Sequence, residues 1–262
     1  VLSDYYILVE KFVKAEADTD FKKTTSMGQD ELVTYKLDFT NKKGRVVDRF
    51  GLIDVLPHIG DLGITNFVER GSEFDLVLSG PIKIDDRFEV RYSKDKNPSR
   101  QVLNELVDRE DYLTVEGGNE VTWLKENEVD NWNEIYSFHI SLKEGKEIEI
   151  NENFSLEFTA KLPQTVEVEK DIYAHNSFAL TANGSPLIEP LQVSVKIPGK
   201  ETYTPPTPPT ETPEEPPVET PEKPPVETPE KPPVETPDKP TVESPPTEDL
   251  PQTGKSNPLS AS

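Results

Sequence analysis

The 262-residue sequence contains no cysteine. That excludes disulfide staples, thiol catalysis, thiolate metal sites and internal thioesters. It suits a protein exported to an oxidising exterior without disulfide machinery. No run of 18 apolar residues occurs, so no segment reads as a membrane-spanning helix. The three histidines, His58, His139 and His175, lie in separate segments, outside any HExxH or nucleophile-elbow context. They read as surface or strand residues. No glycine-rich phosphate loop is present. These absences argue against an enzyme, a cofactor or a bound metal. Basic residues are also scarce: 28 lysines and arginines face 50 aspartates and glutamates, for a net charge of −22. A surface this acidic repels phosphate backbones, so nucleic acid is not an expected partner.

Proline is abundant but unevenly placed, with 19 of 26 prolines after position 200. The chain therefore divides into a globular part, residues 1–199, and a low-complexity part. From Pro216 the sequence reads PPVETPEK, PPVETPEK, PPVETPDK and a decayed PTVESPPT. Proline fixes φ and removes an amide donor, which excludes helix and sheet ladders here. Polyproline II is the remaining regular conformation, and residues 202–248 would reach on the order of 150 Å fully extended. Residues 200–249 are thus expected to be a semi-rigid, disordered spacer. The rival reading, a ligand for proline-binding modules, belongs mostly to another cellular setting.

Behind the spacer stands Leu250, Pro251, Gln252, Thr253 and Gly254, followed by KSNPLSAS. Leu-Pro-x-Thr-Gly after a proline-rich spacer resembles the sorting signal of sortase-anchored surface proteins of Gram-positive bacteria. The resemblance implies cleavage between Thr253 and Gly254 and transfer of the threonine carboxyl to an amine of the peptidoglycan cross-bridge. It makes sortase and peptidoglycan the expected partners, and a secreted, wall-anchored, surface-exposed protein without a membrane segment in its mature form the expected product. In that family a hydrophobic span and a basic tail follow the motif. Here residues 250–262 read as a truncated signal, and the chain as a processed form or a piece of a longer protein.

Period-two alternation dominates residues 1–199. Val33, Tyr35, Leu37 and Phe39 share one face, as do Phe154, Leu156, Phe158, Ala160 and Leu162. Tyr136, Phe138, Ile140 and Leu142 form a third such set, and Leu191, Val193, Val195 and Ile197 a fourth. FDLVLSG and RFEVRYS are shorter candidates. Turn signals stand at 41–44, 60–63, 117–118 and 183–184, and only Ser99–Val107 has helical spacing. Many strands with one buried face predict an antiparallel β-sandwich, all-β, with insertions around residues 95–135. The alternative is two small sandwiches. The blocks ILVEKFVKAEADTD, YKLDFTNKKGRVVDRFGLIDVLP and AHNSFALTA resemble the stalk domains of sortase-anchored proteins, which are immunoglobulin-like, and some of which carry a spontaneous Lys–Asn isopeptide bond. No Tyr-Pro-Lys pilin motif is present, which argues against a polymerising major pilin.

Three polar residues interrupt predicted apolar faces. Lys11 falls among Ile7, Val9 and Val13, Asp54 between Leu52 and Leu56, and Asn176 with Ile172, Ala174, Phe178 and Leu180. A buried lysine tends to lose its proton and a buried aspartic acid to keep one. A neutral amine can then attack the asparagine carboxamide while the acid polarises the carbonyl and shuttles protons. The alternative is that Lys11 snorkels from an edge strand, Asp54 caps the turn before Pro57 and Asn176 fills a backbone gap. Asp18 and Asp20, in EADTD, are weak calcium candidates lacking the spacing of a calcium loop. Trp123 and Trp132 flank an acidic loop and read as core positions. The functions in contention are a stalk or adhesin module with a host or matrix ligand, a passive stalk, and a wall-tethered enzyme.

Overall fold

Wherever alternation runs longest, the chain is extended. The computed structural model describes residues 7–42, 44–108 and 116–200. The long strands are β1 (Ile7–Ala15), β3 (Val33–Asn41) and β8 (Asn153–Lys161). Shorter ones are β2 (Thr24–Ser26), β4 (Phe50–Val55), β5 (Val77–Leu78), β6 (Phe88–Ser93) and β7 (Ser137–Leu142). The C-terminal strands are β9 (Ile172–Asn176), β10 (Phe178–Ala182) and β11 (Val193–Ile197). The described residues all belong to one compact unit. The spacer beyond residue 200 and the motif Leu250–Gly254 lie outside them.

Two four-stranded antiparallel sheets, β1-β3-β8-β5 and β10-β4-β7-β6, are joined by a three-stranded sheet, β2-β11-β9. The fold is therefore all-β and mostly antiparallel, as the alternation predicts. One pair departs from that expectation, because β2 runs parallel to β11. After β1 the chain turns back at Asp18 and crosses to the third sheet, where only three residues pair.

Phenylalanines from the two large sheets lock the layers together. Phe39 stacks on Phe154 at 4.6 Å and meets Phe50 edge-on at 5.9 Å, while Phe88 stacks on Phe154 at 5.4 Å. Such pairs add about 0.5–1.5 kcal/mol to the area each ring buries. Strand β4 is buried along its whole length. One face enters the main core, whereas Ile53 and Val55 join Ile64, Leu103 and Ala179 in a second cluster. Gly51 lets the covering segment lie close, since a Cβ there would stand 2.4 Å from a Leu106 methyl.

Several boundaries differ from the sequence reading. The helix predicted over Ser99–Val107 contracts to α1 (Gln101–Asn104). FDLVLSG pairs only at Val77–Leu78. Leu191 is 91% exposed because its strand starts at Val193, after Pro190, which lacks a ladder donor. The single strand read through IYAHNSFAL is two strands in different sheets, broken at Ser177. His58, read as surface or strand, is buried in the loop after β4.

Candidate functional site

That break at Ser177 decides where Asn176 goes. Asn176 is the last residue of β9, opposite Val193 in the third sheet. Two residues later Phe178 pairs with Asp54 on β4, in the second sheet. The change of sheet carries Asn176 to Asp54 without putting both in one ladder. Lys11 arrives from the first sheet, at the middle of edge strand β1, opposite Leu37. One residue from each sheet thus converges on one point.

The three are fully enclosed, with exposures of 1% for Lys11 and 0% for both Asp54 and Asn176. Lys11 does not snorkel. Its Nζ lies 5.2–5.4 Å from the ring centroids of Tyr35, Phe158 and Phe178 and donates to Asp54 Oδ2. Asn176 Nδ2 donates to the other oxygen, Asp54 Oδ1, at 2.9 Å, and to the Val55 carbonyl at 2.9 Å. Asp54 therefore serves its two neighbours and not the turn at Pro57. Asn176 Oδ1 and the Tyr35 hydroxyl are buried without a hydrogen-bond partner. Leaving a carboxamide oxygen unmatched costs about 1–3 kcal/mol.

Burial is the largest influence on Lys11 and pulls its ammonium down to about 8, against the opposing pull of Asp54. Arg70 lowers it further and Glu189 raises it. The Tyr35 phenol is pushed far above its ordinary value, first by burial and then by Asp54. Ionised tyrosine has no place in this pocket.

A second buried polar group backs the first. Arg70 pairs with Asp61 at 2.9 Å and donates through Nη2 to the Val55 carbonyl at 2.9 Å and through Nη1 to Ser177 Oγ at 3.4 Å. Ser177 Oγ donates to Glu189 Oε1 at 2.6 Å. Burial opposes ionisation of Glu189, but Ser177, Thr65 and the amide of Ile64 hold its carboxyl below the ordinary value. The sequence reading missed Arg70, Asp61 and Glu189. They stand in loops, where no alternation marks an inward-facing position.

The remaining candidates are dispersed. Asp18 accepts from the Ala15 amide, Thr25 and Lys22, and Asp20 from Thr19, so EADTD is a hydrogen-bonded turn. Among the described residues no three His, Asp or Glu side chains converge as a metal site. His58 Nδ1 lies 3.2 Å from the Leu56 carbonyl, and His175 Nδ1 2.8 Å from Ser194 Oγ. His139 packs against Trp123, its Nε2 buried without a partner. Trp132 meets Tyr92 edge-on at 5.0 Å. Both tryptophans are half-buried packing residues.

No protein-family model matches the sequence, and no curated protein is similar to it. Among solved structures it resembles BcpA, the major pilin subunit of Bacillus cereus, at 10% identity and a TM-score of 0.33, over 73% of this chain and 40% of that one. The C-terminal domain of the Streptococcus agalactiae AgI/II polypeptide BspA gives 15% and 0.35, over 72% and 49%. A C-terminal fragment of the Streptococcus agalactiae major pilin GBS80 gives 13% and 0.32, over 72% and 55%. The chain spans about half the length of these solved chains.

Proposed function

We propose that the β-sandwich is a stalk or adhesin module of a cell-wall-anchored surface protein, closed by an isopeptide bond between Lys11 Nζ and Asn176 Cγ. The observation that carries the crosslink is the shared carboxylate: amine and carboxamide nitrogen sit on the two oxygens of Asp54 in a pocket walled by three aromatic rings. Asp54 takes a proton from the Lys11 ammonium, and the neutral amine attacks Asn176 Cγ. The tetrahedral adduct breaks its bond to Nδ2, which receives a proton from Asp54 and leaves as ammonia. The new amide nitrogen keeps one hydrogen, and the second is lost through Asp54 to the ammonia. Lysine plus asparagine thus become one amide plus ammonium, with Asp54 regenerated and no oxidant or cofactor required. Proximity supplies the rest, since the groups are held together by folding.

Wall anchoring is supported by Leu250–Gly254 behind the repeat PPVETPEK. Sortase would cleave after Thr253 and pass its carboxyl to a peptidoglycan amine, leaving residues 200–249 as the spacer. The same reading makes the protein non-enzymatic, with a host or matrix ligand as the outward-facing partner of an adhesin.

Intact mass under denaturing conditions tests the crosslink. The expected value is the sequence mass less one ammonia, restored to the full mass by Lys11→Ala and Asp54→Ala. A full-mass wild type would overturn it. Incubation with a sortase and an oligoglycine amine tests anchoring, with cleavage between Thr253 and Gly254 expected and no turnover after Thr253→Ala.

A further inference from the structure

Asn176 can place its carboxamide two ways round, and only one puts the leaving nitrogen on Asp54. Asp54 Oδ1 alone does not discriminate, because a protonated carboxyl there could donate to a carboxamide oxygen instead. The Val55 carbonyl does discriminate: it only accepts, so it demands Nδ2. That carbonyl is itself held by Arg70 Nη2 at 2.9 Å. The other arm of the guanidinium donates at 3.4 Å to Ser177, the residue after Asn176 and the point where the chain changes sheet. Ser177 is fixed in turn on Glu189.

We infer that Arg70 is a positioning residue for the crosslink, clamping Val55 and Ser177 so that Asn176 keeps its amide nitrogen on Asp54. This role rests on the isopeptide reading. Four further points lead the same way. A planar fork reaches two acceptors at fixed separation, which a lysine ammonium cannot do while also pairing with Asp61. The Arg70 side chain is 2% exposed and that of Asp61 0%, and a buried ion pair adds little net stability over apolar residues of the same size. Arg70 Nε is left buried and unpartnered, so both Nη arms are committed to the asparagine side and to Asp61 while one donor goes unmatched. The guanidinium also faces Lys11 together with Asp54 and Glu189. Of these three charges it alone disfavours the ammonium, which assists formation of the attacking amine.

The test uses the full 262-residue chain made by cell-free synthesis and quenched at intervals. Intact mass reads the fraction that has lost ammonia, and tryptophan fluorescence on parallel samples reads the fraction folded. Arg70→Met is expected to fold yet crosslink at least tenfold more slowly, with Arg70→Lys partly restoring the rate. Ser177→Ala, which removes one arm of the clamp and leaves the ion pair intact, is expected to slow the reaction about threefold or more. In Asn176→Ala, where Lys11 stays an amine, its titration followed by NMR is expected to move to higher pH on adding Arg70→Met but not Arg70→Lys. Wild-type rates in the folded fraction of Arg70→Met would overturn the role. If that variant does not fold, a wild-type rate in Ser177→Ala overturns it. A wild-type chain at full mass instead sinks the crosslink itself, which separates the two failures.

Discussion

Lys11 Nζ and Asn176 Nδ2 hydrogen-bond to opposite oxygens of the Asp54 carboxylate, although the two residues stand 165 positions apart and in different sheets. A bond between them would close a covalent loop of about 165 residues. By the chain-entropy argument a crosslink of that length stabilises the fold by about 5 kcal/mol. Asn176→Ala is therefore expected to remain folded at room temperature but to lose roughly that amount, read as a lower urea midpoint with a steeper slope, because the uncrosslinked denatured chain exposes more surface. Equal midpoints for the variant and the wild type would remove the crosslink from the stability of the domain.

Without the crosslink, Lys11 makes stability depend on pH with a definite sign. Its folded value, about 8, lies below the ordinary 10.5, so between these values the unfolded chain binds the extra proton. Stability of Asn176→Ala should then rise as pH climbs from 8 towards 10, approaching a gain of about 3 kcal/mol over the full interval. Lys11→Met in the same background should be flat there. A crosslinked wild type, in which the lysine would be a neutral amide, should be flat as well. Denaturant melts of the three proteins at pH 8, 9 and 10 check this.

His139 sets an acid limit. Burial is the main reason its imidazole is drawn down to about 4 from 6.5, with Glu89 opposing and Arg91 reinforcing. The unfolded chain gains a proton near 6.5 that the folded chain refuses until about 4. Stability contributed by neutral His139 is complete above 6.5 and falls through that window, to a loss of about 3 kcal/mol. His139→Phe keeps an aromatic ring against Trp123 and removes the unmatched Nε2. It should show a shallower fall in melting temperature between pH 6.5 and 4 than the wild type.

The sequence made the sheet faces legible where one side is buried and the other is not. On β3, Val33, Tyr35, Leu37 and Phe39 read correctly because Thr34, Lys36 and Asp38 between them face solvent. Lys11, Asp54 and Asn176 stood out for the same reason: each breaks an apolar face. On β4 the rule weakens, since both faces are covered and Ile53 and Val55 carry no polar contrast. Arg70 was illegible because loop residues have no period. Its inward orientation depends on acceptors contributed by Val55 and Ser177, 15 and 107 positions away. The division of 172–182 into two strands was hidden too, because β9 and β10 keep a common period across Ser177.

Tension discriminates a load-bearing stalk from one merely stabilised. Lys11 lies in the first strand and Asn176 near the end of the third sheet, so a bond between them leaves residues 12–175 outside the load path. A force applied to the chain ends would pass through β1 to Lys11, across the amide to Asn176, and on through β10 and β11. Only residues 7–10 and 177–200 of the folded unit could then extend, releasing about 100 Å at roughly 3.5 Å per residue. The Asp54→Asn variant, which keeps the shape of the side chain without its proton-carrying role, should release about 550 Å more as the loop unravels. Single-molecule extension of both proteins, held at residues 1 and 262, measures the difference. Equal extensions would show that β1 and β9 part under load in the wild type, which an amide between Lys11 and Asn176 forbids.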